Sequence, residues 1–161
     1  MSPTELETLD AFYVGSRQQL YTYAVSITGH RESAEDAIHR VFEQLLRRGY
    51  MPTDLRPYVF RCVRNAALDG LRRAQVRRDS IFNVATVPDS SIAPQPFHAE
   101  EVDYSLQALS PDERETIILK IYNDFSFQQI AELRQVPLST VATWYRRGLE
   151  ELRSKLREKP L

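Results

Sequence analysis

One cysteine, Cys62, stands in a chain of 161 residues, so no internal disulfide can form. A lone thiol fits a reducing compartment. Only five glycines are present, scattered singly, and none sits in a phosphate-cradling loop. Uninterrupted apolar runs are short, far below the roughly 20 residues needed to span a bilayer. The opening segment Met1 to Asp10 carries Glu5, Glu7 and Asp10 and has no apolar stretch, so no signal peptide is expected. Three histidines, His30, His39 and His98, are dispersed and give no metal-ligand spacing with the single cysteine. Adjacent carboxylates such as Glu35-Asp36 and Glu150-Glu151 fall on exposed helix faces, where solvation explains them. Neither an enzyme centre nor a cofactor or metal site is expected, and the protein reads as cytoplasmic.

A net charge of −1 conceals strong segregation. Between Arg56 and Arg78 seven arginines face one acid, Asp69. From Asp79 to Pro111 there are five acids and no Lys or Arg; from Arg134 to Lys159 seven basic residues face three acids. Two basic islands flanking an acidic strip suit two contacts with a polyanion. Two solvated helix faces would give the same pattern, so charge alone does not decide.

The hydrophobic pattern is helical throughout, and no strand pattern of any strength occurs. A first helix is predicted from about Thr4 to Thr28, ended by Gly29, with Gly15 a candidate break in its middle. A second runs from about Ser33 to Arg48, with Ser33 and Asp36 as a capping pair and Gly49 as its stop. Ala34, Ala37, Ile38, Val41, Phe42, Leu45 and Leu46 form its apolar stripe. A third starts at Asp54, tolerates Pro57 in its first turn, and buries Val59, Cys62, Val63, Ala66 and Gly70. Cys62 on that stripe reads as an inert core thiol.

Residues 79–98 lose periodicity and contain Pro88, Pro94 and Pro96, the composition of a linker. Helix signals resume at Ser110-Pro111-Asp112-Glu113, a capping box with proline at the first helical position. A second box, Ser126 to Gln129, starts a short helix to about Arg134. A turn at Gln135-Val136-Pro137 leads into a long last helix. The fold class is all-α: two small helical domains of roughly 80 and 60 residues on a tether, near the lower limit for independent cores.

Two places carry chemistry. The last two helices have the pattern of a helix-turn-helix, with Val136 plugging the turn and Val141 and Tyr145 anchoring the second helix. Its free face offers Ser139, Thr140, Ala142, Thr143, Arg146 and Arg147, short polar and cationic groups suited to a DNA major groove. A plain three-helix packing unit would show the same periodicity. In the third helix, Arg61, Arg64, Arg72 and Arg73 surround Tyr58, Phe60 and Asn65. Single-stranded nucleic acid needs that mixture of cations for phosphates and flat groups for bases. For at least one of the two rings, Tyr58 or Phe60, an ordinary core position is the better reading.

These segments, in this order, resemble the extracytoplasmic-function sigma factors of bacterial RNA polymerase. Pro57-Tyr-Val-Phe-Arg-Cys-Val-Arg-Asn-Ala-Ala-Leu-Asp-Gly-Leu-Arg-Arg73 resembles their region 2.3–2.4, and Ser33-Ala-Glu-Asp-Ala-Ile-His-Arg-Val-Phe42 their region 2.2. Leu109-Ser-Pro-Asp-Glu-Arg-Glu115, Phe127-Gln-Gln-Ile-Ala-Glu132 and Val136-Pro-Leu-Ser-Thr-Val141 resemble region 4.

The resemblance implies residues 1–78 as region 2, 79–100 as an acidic linker and 101–161 as region 4. Glu35, Asp36, Arg40 and Glu43 would then meet the clamp helices of the polymerase largest subunit, with the flap as a further contact. Tyr58, Arg61, Arg64, Asn65, Asp69, Arg72 and Arg73, with the loop Gly49 to Asp54, would open the −10 element and hold it as a single strand. Ser139, Thr140, Ala142, Thr143, Arg146 and Arg147 would read a duplex −35 element. An anti-sigma factor or other regulator is an implied partner. The chain departs from the family at His39-Arg40, where Gln-Glu is common, and at Gln135, where glycine is usual. Ala142 and Trp144 stand where Lys and Arg are typical. A free-standing helix-turn-helix regulator, or a decoy that binds polymerase or an anti-sigma factor without using DNA, are the rival readings.

Overall fold

The computed structural model describes residues 1–82 and 105–158, and for residues 79–82 the backbone only. The chain forms two compact units, divided between Gln95 and Pro96. Among the described residues there are helices and turns and no strands.

The first unit is a three-helix bundle: α1 (Pro3–Thr28), α2 (Arg31–Arg48) and α3 (Leu55–Phe82), each packed on the other two. Ser2 and Glu5 close a capping box, Pro3 occupies the first turn, and α1 runs unbroken through Gly15. The expected break at Gly15 therefore does not occur. A helix can carry one glycine when its flanks are held, at a cost of about 1 kcal/mol against alanine. Gly29 and Gly49 end α1 and α2 at φ 75° and 62°, the left-handed conformation expected of both.

Four other expectations in this unit need correction. Helix α2 starts two residues early, with His30 at its N-cap position and Ser33 exposed, so Ser33 and Asp36 are no cap. Leu46 is 54% exposed, at the edge of the stripe formed by Ala34, Ala37, Ile38, Val41, Phe42 and Leu45. The buried residues of α3 are Val59, Phe60, Val63 and Ala67, whereas Cys62, Ala66 and Gly70 sit half-buried at the margin. Tyr23 and Phe60, both fully buried, put their ring centroids 5.5 Å apart. Burying each such ring is worth roughly 1.5–3 kcal/mol, which makes this pair a main anchor between α1 and α3. Helix α3 also continues to Phe82, so residues 79–82 of the expected linker are helical. The rest of that linker, 83–100, lies outside the described residues, as does His98.

The second unit comprises α4 (Pro111–Ile117), α5 (Phe127–Arg134) and α6 (Leu138–Arg157). Both predicted capping boxes form, Ser110 with Glu113 and Ser126 with Gln129. Unforeseen in the sequence, α4 widens into a π-helical turn over Ile118–Tyr122. The buried Asn123 seals it, its backbone N–H and its Nδ2 both donating to the Ile118 carbonyl at 3.2 Å. Widening the helix keeps Ile117, Ile118 and Leu119 all facing the core. The half-buried Arg114 donates to the carbonyls of Leu106, Gln107 and Leu109, which ties the preceding turn to α4. Burial lowers the pKa of its guanidinium.

Gln135, standing where the family usually has glycine, takes the conformation a glycine would, φ 56° and ψ 48°. A side chain there costs on the order of 1 kcal/mol. Gln135→Gly is therefore expected to raise the unfolding free energy of this unit by about 0.5–1 kcal/mol, read by urea denaturation. A loss of stability would show that the glutamine side chain makes compensating contacts.

Candidate nucleic-acid interface

In the first unit, α2 and α3 bound an open groove of about 480 Å³. It is lined by Arg40, Val41 and Gln44 from α2 and by Cys62, Asn65, Ala66, Asp69, Arg72 and Arg73 from α3. Four of the seven predicted single-strand residues thus share one wall, because Asn65, Asp69, Arg72 and Arg73 recur at helical spacing. Arg72 is 3.4 Å from Asp69, an exposed pair that is worth little and that an incoming phosphate can replace.

Tyr58 lies further toward the start of α3, with its ring centroid 6.3 Å from that of Tyr50 in the preceding loop. Tyr50 is 55% exposed. Nothing in the sequence pattern separates Tyr50 from a packing aromatic, so only the loop around it was legible there. Arg61 is exposed and Arg64 half-buried, and neither lines the groove. Phe60, set among the cations in the sequence, is fully buried in the core, with the Arg56 guanidinium over its ring. Burial, the largest cause, raises the pKa of both Tyr58 and Cys62. Cys62 therefore stays a thiol at neutral pH, a poor nucleophile.

Of the residues expected to meet polymerase, Asp36, Arg40 and Glu43 recur at helical spacing along one stripe of α2, with Glu35 beside it. Glu35 and Asp36 are exposed on α2, and Asp36 pairs with Arg40 at 3.1 Å. Arg40 belongs to the groove just described. Glu43 instead pairs with Arg47 at 2.7 Å and borders an apolar groove of about 540 Å³ between α1 and α2. Leu6, Leu9, Tyr13, Phe42 and Leu46 line that groove, with Asp10, His39 and Glu43 at its rim. The departure His39-Arg40 thus points its two side chains into two different grooves.

In the second unit, α5 and α6 form the helix-turn-helix. Val141 is fully buried, and Tyr145 packs edge-on against Phe127 at 5.0 Å. That anchoring turns Ser139, Ala142, Arg146 and Arg147 outward, with Thr140 and Thr143 half-buried beside them. The Thr143 hydroxyl donates to the Ser139 carbonyl at 2.9 Å, leaving its oxygen lone pairs for an outside donor. Trp144 lies to one side, half-buried, against α5. No three His, Cys, Asp or Glu side chains among the described residues are grouped to hold a metal. No described helix is long and apolar enough to cross a membrane.

A helical bundle with a cationic groove, joined in one chain to a helix-turn-helix, defines a DNA-directed protein. Comparison with known proteins gives the family. Residues 12–77 match the profile of sigma-70 region 2, and residues 99–152 match that of sigma-70 region 4. The RNA polymerase sigma factor CarQ of Myxococcus xanthus is 32% identical over 134 residues, covering 78% of this chain and 75% of that one. The ECF RNA polymerase sigma factor SigX of Bacillus subtilis is 24% identical over 163 residues, 93% of this chain and 84% of that one. SigE of Mycolicibacterium smegmatis, another ECF sigma factor, is 27% identical over 86% of this chain but only 57% of its own length. The sigma factor RpoE of Bartonella quintana, solved in complex with the anti-sigma factor NepR, has the same fold. The TM-score is 0.73 at 19% identity, over 96% of this chain and 99% of that one. The chain belongs to the extracytoplasmic-function sigma factors, which act in transcription initiation.

Proposed function

We propose that the chain directs core RNA polymerase to promoters, with the first unit opening the −10 element and the second reading the −35 element. The observation that carries this is the groove in which Asn65, Arg72 and Arg73 line up beside Arg40. Such a groove tracks a phosphate backbone, while Tyr58 and Tyr50 offer rings for unstacked bases. Extruding a base costs a few kcal/mol, so a compensating pocket is needed, and the loop from Gly49 to Asp54 supplies it.

Core polymerase would meet α2 through Glu35, Asp36, Arg40 and Glu43, by its largest-subunit clamp helices, and the second unit by its flap. An anti-sigma factor is the further partner of this reading. The work belongs to the cytoplasm and needs neither cofactor nor catalytic residue. Within it, residues 1–78 and 101–161 divide the two tasks and 79–100 connect them. Run-off transcription with purified core polymerase and a promoter library tests the whole reading. Discrete starts that depend on the protein support it; a shift of duplex DNA without transcripts points to a free-standing regulator, and neither result to a decoy.

The reading also fixes how salt acts on duplex binding. With Ala142 in place of a cation, Arg146 and Arg147 carry the phosphate contacts of α6. Ala142→Lys is expected to steepen the slope of log affinity against log salt by about 0.9, and Arg146→Ala to flatten it by about 0.9. Unchanged slopes in both variants would show that this face does not meet DNA.

A further inference from the structure

The second unit contains an ion cluster around a buried arginine that the proposed function does not use. Arg134, at the end of α5, has a side chain only 8% exposed. Its Nη2 lies 2.7 Å from Asp112 Oδ1, and its Nη1 lies 3.1 Å from Glu115 Oε2. Both carboxylates stand on α4. Trp144 of α6 closes the arrangement, its ring centroid 4.7 Å from the guanidinium carbon. Three helices therefore converge on one planar cation.

A buried ion pair adds little net stability, because desolvation offsets the attraction, but it is selective about geometry. A guanidinium held by carboxylates at its edges leaves its flat face for an aromatic partner. On α6, Trp144 is four residues after Thr140 and three before Arg147, so it flanks the outward face. Its stacking resists rotation of α6 about its own axis, adding to the hold of Val141, Gly148 and the Tyr145–Phe127 contact.

We infer that Trp144 is a positioning residue for the recognition helix, acting through Arg134 rather than by touching DNA; this rests on the reading of α6 as the −35 reader. Base edges demand placement within about 0.5 Å, whereas phosphate contacts tolerate small shifts. Losing the stack should therefore blur sequence discrimination and leave the electrostatic part of binding intact.

The test uses full-length protein with core polymerase and a promoter that the wild type selects from a randomised library. Affinity for that promoter is compared with affinity for one whose −35 element is scrambled, over a salt series. Trp144→Ala is expected to reduce the discrimination about tenfold with an unchanged salt slope. Trp144→Phe, which keeps an aromatic face, should restore most of it. Arg134→Lys keeps the charge but loses the plane, so it should cause a similar loss, and adding Trp144→Ala to it should cost little more. Undiminished discrimination in Trp144→Ala would overturn the inference, as would a flatter salt slope, which would put the side chain on DNA. Additive losses in the double variant would overturn it too, by removing the link through Arg134. A wild type that ignores the −35 sequence would instead bring down the reading of α6, and the inference with it.

Discussion

Phe60→Ala is expected to destabilise the first unit by about 3–5 kcal/mol, the cost of deleting a fully buried aromatic ring. Phe60 is 0% exposed, stacks near Tyr23, and has the Arg56 guanidinium 5.4 Å above its ring. A small domain has only about 5–15 kcal/mol in hand, so the loss removes a large share of it. The midpoint of thermal unfolding should fall on the order of 15–30 °C for a unit of this size. Tyr58→Ala makes the contrast, because Tyr58 is only half-buried at the helix start. It should cost much less stability while weakening promoter opening. If the two variants lost equal stability, the division of α3 into a core ring and a working ring would be wrong.

The double variant Arg72→Ala, Arg73→Ala is expected to abolish stable promoter opening while the protein stays folded. Both side chains are exposed and line the α2–α3 groove. A charge-assisted hydrogen bond is worth roughly 1.5–3 kcal/mol, so two lost contacts weaken the held strand at least a hundredfold. The salt dependence of single-strand binding should fall by about 1.4, at about 0.7 per phosphate. Permanganate footprinting of the −10 element reads the first effect, and binding of a fork-junction probe across a salt series reads the second. Full permanganate reactivity with the double variant would remove the groove from the melting step. Arg64→Ala is the internal control. Arg64 neighbours Asn65 in sequence but does not line the groove, and its loss should matter less.

The local signals in the sequence were strong because each depends on a few adjacent residues. Ser110 with Glu113 and Ser126 with Gln129 satisfy helix-end donors within one turn, and both boxes form. Gly29 and Gly49 stop helices where the pattern stops. The stripe Ala34 to Leu45 and the anchors Val141 and Tyr145 follow from the 3.6-residue period alone. What stayed open or was misread was of another kind. The sequence left open which of Tyr58 and Phe60 is core, and the partner Tyr23, some 37 positions away, makes it Phe60. Cys62 fits the apolar period but falls half-buried at the margin of the core. Gln135 takes a left-handed turn that its residue type disfavours, because Ala131 and Val136 close the corner with a backbone hydrogen bond of 3.0 Å.

By itself the sequence determined the all-helical class, the two units, the order of the family's segments and the outward face of α6. These depend on the period and on caps, which are properties of neighbours along the chain. Only the tertiary structure decided which residues share a surface. It joined Arg40 of α2 to Asn65, Arg72 and Arg73 of α3, and it sent His39 and Arg40 into separate grooves. It brought Asp112, Glu115, Arg134 and Trp144 together from three helices. It also set Gly148 so close to Ile117 that a Cβ there would lie 3.0 Å from its side chain. Such meetings are fixed by the crossing of helices, which depends on the bulk of side chains far apart in sequence and leaves no mark in any local pattern.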